Sequence, residues 1–249
     1  MLKIIPLLNF PIIQKDDNIS EQIYLTLQKN DIALKDFDIL VVAQIIVSRA
    51  EGRLINLETI KPSILAQTIA ENSSKDPRHV EIILREAKNI CKNRNGVLVT
   101  ETHHGFVCAN SGVDKSNVPG KNMVALLPEN PDNSAKKIRL YLEKKTGKKI
   151  AVLISDTHSR PFRLGAINIA IGCSGLEPMK NYCGKRDLFD YELKTTKINL
   201  ADQICSAAGL FMGECAEGKP VILIRGKSYI RGEISAKTLL RKEEKDYFR

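Results

Sequence analysis

Apolar and polar positions along this chain change period often, and each change marks a candidate element. The stretch ISEQIYLTLQK carries apolar residues at helical spacing, with Ser20 placed to cap a helix that runs through Lys29. The apolar run from Asp38 to Ser48 reads as a strand, and helices are expected over Pro62 to Asn72 and Pro77 to Lys92. VLVTETHHGFVCAN reads as a hairpin, two β-rich runs joined by His103-His104-Gly105. A helix is expected from Pro131, capped by Asp132 or Ser134, to a stop at Gly147, with lysines in its last turn. Strand KIAVLIS follows, then a polar interruption at SDTHSRPFR and a second strand, GAINIAIGCSG. A last helix spans Leu200 to Met212 and ends at Gly213; PVILIRG is a strand, and KTLLRKEEKDYFR a peripheral helix or tail. The reading is α+β, mixed sheets with flanking helices.

The chain has 249 residues, 43% hydrophobic and 27% charged, enough for one large domain over residues 1–249 or two closely joined subdomains. No apolar segment is long enough to cross a bilayer. The N-terminal MLKIIPLLNFPII is broken by Pro6 and Pro11 and lacks a small-residue cleavage site, so a cytoplasmic location is expected. The six cysteines form no CxxC pair and no metal-ligand rhythm, and read as reduced, mostly buried thiols. The net charge of +9 suits an anionic partner. Its lysines are spread along the chain without interleaved aromatics, which favours a local positive field around a small anion over a nucleic-acid surface.

Polar residues at the ends of apolar runs carry the candidate chemistry. Asp156 and Thr157 follow one predicted strand, Asp114 lies on a turn after another, and Glu214 follows a helix. Such oxygens suit Mg²⁺ or Mn²⁺, and each residue equally fits a turn or solvent-facing role. Arg160 and Arg163 offer guanidinium forks for phosphate or carboxylate, or simple surface pairing. His103 and His104 read as hairpin-tip residues without the third ligand a zinc site needs, and His158 stands beside the Asp156 motif.

Four segments, SRAEGR (Ser48 to Arg53), NSGVDKSN (Asn110 to Asn117), SDTHSRPFRLGAINIAIG (Ser155 to Gly172) and GLFMGE (Gly209 to Glu214), occur in an order and spacing that resembles the coenzyme F420-0:gamma-glutamyl ligase family. The resemblance implies that family's own fold, a homodimer, and a GTP-dependent ligase adding L-glutamate in gamma linkage to the F420-0 precursor through an acyl phosphate. It further implies divalent Mn²⁺ or Mg²⁺ held at Asp114, Asp156, Thr157 and Glu214, with potassium as a stimulant; beside such a site the guanidinium forks of Arg160 and Arg163 read as catalytic. Nucleotide contacts are implied at Phe10, Pro11, Ile12 and Ile13, at Gln44, Ile45, Arg49 and Asn117, and along Leu210, Phe211, Met212 and Gly213 toward Glu217. The chain departs from the family pattern at Gln44-Ile45, Arg49, His158-Ser159 and Cys215-Ala216. The same chemistry on another acid such as folate, and a basic nucleic-acid-binding protein, are the alternative readings.

Overall fold

A computed structural model describes residues 1–246. In chain order its elements are β1 (Lys3–Pro6), α1 (Ile19–Lys29), β2 (Ile39–Ala43), α2 (Gln44–Ala50), β3 (Leu54–Asn56), α3 (Ile64–Glu71), α4 (Pro77–Glu86), β4 (Ala87–Arg94), β5 (Val97–Thr102) and β6 (Val107–Ala109). There follow β7 (Met123–Ala125), α5 (Pro131–Thr146), β8 (Ala151–Arg160), β9 (Arg163–Ser174), β10 (Met179–Asn181), β11 (Lys197–Asn199), α6 (Leu200–Met212) and β12 (Val221–Arg225). The fold is α+β.

A five-stranded sheet in the order β1-β12-β2-β8-β9 forms the centre, with only the β2–β8 pair parallel. Strand alternation explains its layers. Leu40 and Val42 face α1 and α5 in one core, while Ile39 and Val41 face α6 in the other. A strand covered on both faces has to read as a continuous apolar run, as ILVVA and AVLI do. A third core gathers Leu57, Val80, Ile83, Leu98 and Val124 between α3, α4 and the sheet β4-β5-β6.

Several boundaries differ from the sequence reading. The strand expected to reach Ser48 stops at Ala43, and Gln44 begins α2, whose Ile46 and Val47 enter the same core. A short apolar run satisfies either a buried strand or a buried helix, so its periodicity could not separate them. The helix expected to reach Lys92 ends at Glu86, because Ala87–Arg94 pairs with β5 through two register shifts. Pairing there overrides the helix propensity of the lysines and alanine. The helix expected from Pro62 is shorter, Ile64–Glu71, with Ser63 as cap. Asn18 caps α1 in place of Ser20, and Asn130 caps α5 in place of Asp132 or Ser134. The Asp132 carboxylate serves other donors, the backbone N–H groups of Cys173 and Ala236 and the hydroxyl of Ser235. In the C-terminal stretch, Ala236–Leu239 and Glu243–Lys245 are short 3-10 turns, and residues 247–249 lie outside the described residues.

None of the six cysteines forms a disulfide; Cys173 and Cys205 are buried, Cys91, Cys108 and Cys183 are half-buried and Cys215 is exposed, so fewer are buried than the sequence reading expects. No helix among the described residues is long and apolar enough to cross a membrane.

The third core carries an acid-sensitive group. His79 is buried with its Nε2 unpartnered among the described residues, and burial, then Lys115 and Lys75, push its pKa down from 6.5 to about 4. The fold therefore favours neutral imidazole, while the unfolded chain takes up the proton already near pH 6.5. This contribution is intact above pH 6.5 and is lost as pH falls toward 4, at up to about 1.4 kcal/mol per pH unit. Asp76, held at about 2 by Arg78, loses its contribution only below that window. Urea midpoints measured from pH 7 to 4.5 are expected to fall less steeply in His79→Gln than in the wild type; parallel curves would remove His79 from the account.

Candidate functional site

The α2 motif divides its labour. Ser48 donates to the Gln44 side chain at 2.9 Å inside the helix, and Glu51 accepts from the Ser134 hydroxyl and the Glu129 backbone. Arg53 reaches the Leu127 carbonyl and pairs with Glu86 at 2.6 Å. Glu51 and Arg53 thus tie the end of α2 to its neighbours, whereas Arg49 is turned elsewhere. Its Nη2 donates to the Asn117 carbonyl, its Nε is buried without a partner among the described residues, and burial lowers its pKa from the ordinary arginine value. A half-buried guanidinium with an unused N–H is a prepared anion contact.

The NSGVDKSN turn is built from inside. Ser111, at φ 55°, bonds Thr100 Oγ1 at 2.8 Å and the Ile83 carbonyl at 2.9 Å. Beyond it, Asp114 accepts from the Ser116 backbone at 2.8 Å and from the Ser116 hydroxyl, so both carboxylate oxygens are engaged locally. Asn117, at φ 51°, presents its carbonyl to Arg49 and its amide to the Glu214 carbonyl at 3.5 Å.

SDTHSRPFR is part of a long hairpin. The sequence suggests a polar interruption between two strands here, but β8 continues through it to Arg160, and the turn is Pro161-Phe162. Cross-strand pairing with Thr157↔Asn168 and Asp156↔Ile169 carries the polar residues beyond the apolar core. A register shift lies between Ile154 and Ser155, just before Asp156, where a bulge can re-aim the side chains that follow. Alternation then sends Asp156 and His158 to one face and Thr157 to the other. On the first face His158 Nε2 lies 2.7 Å from Asp156 Oδ2. On the second, Thr157 donates to Glu214 Oε1 at 2.8 Å and accepts from Asn168 Nδ2 at 3.0 Å. Gly209 of α6 makes this possible: a Cβ there would stand 1.9 Å from Asn168 Oδ1.

Next to the Arg49–Asn117 contact opens a cavity of about 820 Å³. Apolar side chains from Phe10 to Ile13, Ile45 and Leu54 form one wall, and its charged lining is Lys15, Arg49 and Lys219 against Glu217. That balance favours an anion beside an apolar group, the make-up of a nucleotide.

The model of the F420-0:Gamma-glutamyl ligase family matches residues 7–226, a span that takes in every one of these features. The chain belongs to this family. Among its curated relatives are the Coenzyme F420:L-glutamate ligases of Methanothermobacter thermautotrophicus, 45% identical over 96% of this chain and 95% of that protein, and of Methanocaldococcus jannaschii, 46% identical over 92% and 91%. The protein of that name from Archaeoglobus fulgidus is 36% identical over 100% of this chain and 96% of its own. Membership makes this chain a ligase.

Of the nucleotide positions the family resemblance implied, Phe10, Pro11, Ile12, Ile13, Ile45, Arg49, Asn117, Met212 and Gly213 line the cavity. Gln44 does not; it is buried and bonded to Ser48. Leu210 and Phe211 also stand outside it, both exposed on α6. Gln14, Lys15, Val118, Pro119, Lys219 and Pro220 line it unforeseen. For the two lysines the sequence holds no signal, since nothing separates them from the other solvated lysines.

The implied metal positions are not brought into one cluster. Thr157 and Glu214 meet, whereas Asp114 keeps its local serine and Asp156 its histidine, and among the described residues no group of three His, Cys, Asp or Glu is placed to hold a metal ion. The donor chemistry nonetheless suits a hard cation. Glu214 Oε2 and Asp156 Oδ1 accept no hydrogen bond among the described residues, and one or two carboxylates plus substrate phosphates suffice for Mg²⁺ or Mn²⁺. Arg160 and Arg163 sit at the hairpin tip, with Arg160 bonded to the Gly165 carbonyl at 2.7 Å, beside the exposed Phe162 and Leu164. Neither lines the cavity.

Proposed function

We propose that this ligase uses GTP to join L-glutamate in gamma linkage to the F420-0 precursor. The observation that carries the reading is the cavity, lined by apolar side chains and by Arg49, whose Nε has no partner among the described residues, with the Asn117 turn leading on to Glu214. The relatives named as Coenzyme F420:L-glutamate ligases support the acceptor and the amino acid.

In this reading an acceptor carboxylate oxygen attacks the γ-phosphorus, the bond to the β-phosphate oxygen breaks, and GDP leaves. The glutamate amine then attacks the acyl carbon of the resulting acyl phosphate, phosphate departs with the C–O bond, and the nitrogen gives up a proton. Both steps gather anions, so the chain must supply positive charge and fixed orientation. Arg49, Lys15 and Lys219 supply the charge at the cavity. The Phe10 to Ile13 wall covers the base and excludes water. One or two divalent ions, Mn²⁺ or Mg²⁺, would be held by Glu214 with Thr157 on one face of β8 and by Asp156 on the other, and would offset phosphate charge when bound. Potassium, a homodimer in the cytoplasm, Asp114 as a further ligand and roles for Arg160 and Arg163 toward substrate carboxylates belong to the same proposal.

Incubation with GTP, Mn²⁺, glutamate and either F420-0 or tetrahydrofolate, read by product mass, tests it. A glutamylated F420-0 is expected; glutamylated folate alone would move the acceptor, and no nucleotide turnover with either would defeat the reading. Arg49→Ala is expected to weaken GTP and ATP alike, roughly tenfold to a hundredfold, because the guanidinium meets phosphate and not base. Arg49→Lys should keep most of the affinity. Calorimetric titration that finds Arg49→Ala unchanged would take Arg49 out of the site.

A further inference from the structure

The Asp156 carboxylate is mostly buried, with its side chain 14% exposed, and among the described residues it accepts one hydrogen bond, from His158. A carboxylate oxygen can only accept, so the 2.7 Å contact requires His158 Nε2 to carry the proton and donate it. Oδ2 is thereby fixed, and Oδ1 is left without a donor among the described residues. Oδ1 is not among the buried polar atoms left without a partner in the described residues, so it lies open to solvent, where a cation can reach it. The neighbouring thiol offers no charge relief. Burial, and after it the Asp156 charge, push Cys108 up to about 12, so the thiol stays neutral.

The histidine is itself held from behind. Its side chain is 8% exposed, and its ring stands edge-on to Phe106 at 6.4 Å and 89°. Phe106 is 4% exposed, packed in the core beneath the central sheet. The i, i+2 spacing puts Asp156 and His158 on one face of β8, so the imidazole is fixed by the strand and by Phe106 together. With so little exposure, His158 is poorly placed to exchange protons with a substrate. It is well placed to aim a carboxylate.

We infer that His158 is a positioning residue that orients Asp156 so that its free Oδ1 faces a divalent cation. The inference rests on the proposed metal-dependent reading, and it adds a residue whose contact is to the carboxylate and not to the ion. Hydrogen-bond partners behind a metal ligand typically change affinity by roughly 10- to 100-fold when removed.

The test is Mn²⁺ binding to the otherwise unliganded full chain, measured by calorimetry and by loss of the free-ion electron paramagnetic signal. His158→Phe keeps a ring against Phe106 and removes the N–H; His158→Gln carries an amide nitrogen to about the place of Nε2. A roughly 10- to 100-fold rise in Kd for His158→Phe, with His158→Gln within about threefold of wild type, is expected. Asp156→Asn should lose at least as much affinity as His158→Phe. A packing role alone would spare the Phe variant and would not be rescued by Gln. Wild-type affinity in His158→Phe, with Asp156→Asn impaired, overturns the inference and leaves the metal reading standing. Equal loss in the Phe and Gln variants also overturns it, because the N–H would then not be what matters. Wild-type affinity in Asp156→Asn refutes the metal assignment itself, and the positioning role falls with it. Thermal melts of each variant check that the comparison is between folded proteins.

Discussion

Asp156→Asn is expected to lower turnover roughly a hundredfold while leaving the melting temperature close to wild type. The substitution keeps the shape of the side chain and an oxygen able to accept from His158 Nε2, so the face of β8 that packs on Phe106 is preserved. What it removes is the negative charge whose second oxygen has no protein donor among the described residues. If the carboxylate served only to hold the hairpin, the amide would serve nearly as well, and activity would survive. The two roles therefore separate on one variant: steady-state rates across an Mn²⁺ titration, together with a melt, distinguish lost charge from lost structure. Near-normal turnover with unchanged metal dependence would sink the assignment. Thr157→Val is a useful companion, because it strikes the opposite face of the same strand, where the hydroxyl joins Glu214 and Asn168.

How much of this was legible beforehand depends on whether the deciding contact was local. Helix α5 was readable at its C-terminal end, since Gly147 at φ 69° and the lysines before it are a stop signal written within a few residues. The end of α6 at Gly213 and the strand β12 were legible for the same reason. The strand β4 was not, because its identity comes from pairing with β5 and its own residues read as helix. The hairpin β8–β9 was half legible: the apolar halves were evident, but the polar stretch that carries Asp156 and Thr157 looks like a loop until the partner strand is known. The cavity divides in the same way. Its motif residues Arg49 and Asn117 could be named in advance, yet their meeting, 68 residues apart in the chain, is set by packing. The Asp156–His158 pair was available from spacing alone once the stretch was known to be a strand.

Gly172→Ala is expected to be the most destabilising single-methyl change in the hairpin. A Cβ at this position would lie 2.5 Å from both the carbonyl carbon and the oxygen of Pro131, the first residue of α5. Those are backbone atoms at a helix start, tied by the Asn130 cap and by the Asp132 bond to Cys173 at 2.8 Å, so they cannot swing aside as a long side chain would. Overpacking of this kind costs about 1–3 kcal/mol or more, which for a chain of this length lowers the melting temperature by roughly 2–12 °C. Gly147→Ala is the control, since its Cβ would meet nothing within 4 Å and its cost comes only from the left-handed φ of 69°, about 1 kcal/mol. The effect of Gly172→Ala should also reach the site. Gly172 pairs with Ile154 at the register shift before Asp156, so relief of the clash by sliding β9 would turn Asp156 and Thr157 away from their partners. A variant that melts within about 2 °C of wild type, and turns over normally, would mean that α5 can retreat from β9, and the rigid seating of the hairpin against that helix would have to be abandoned.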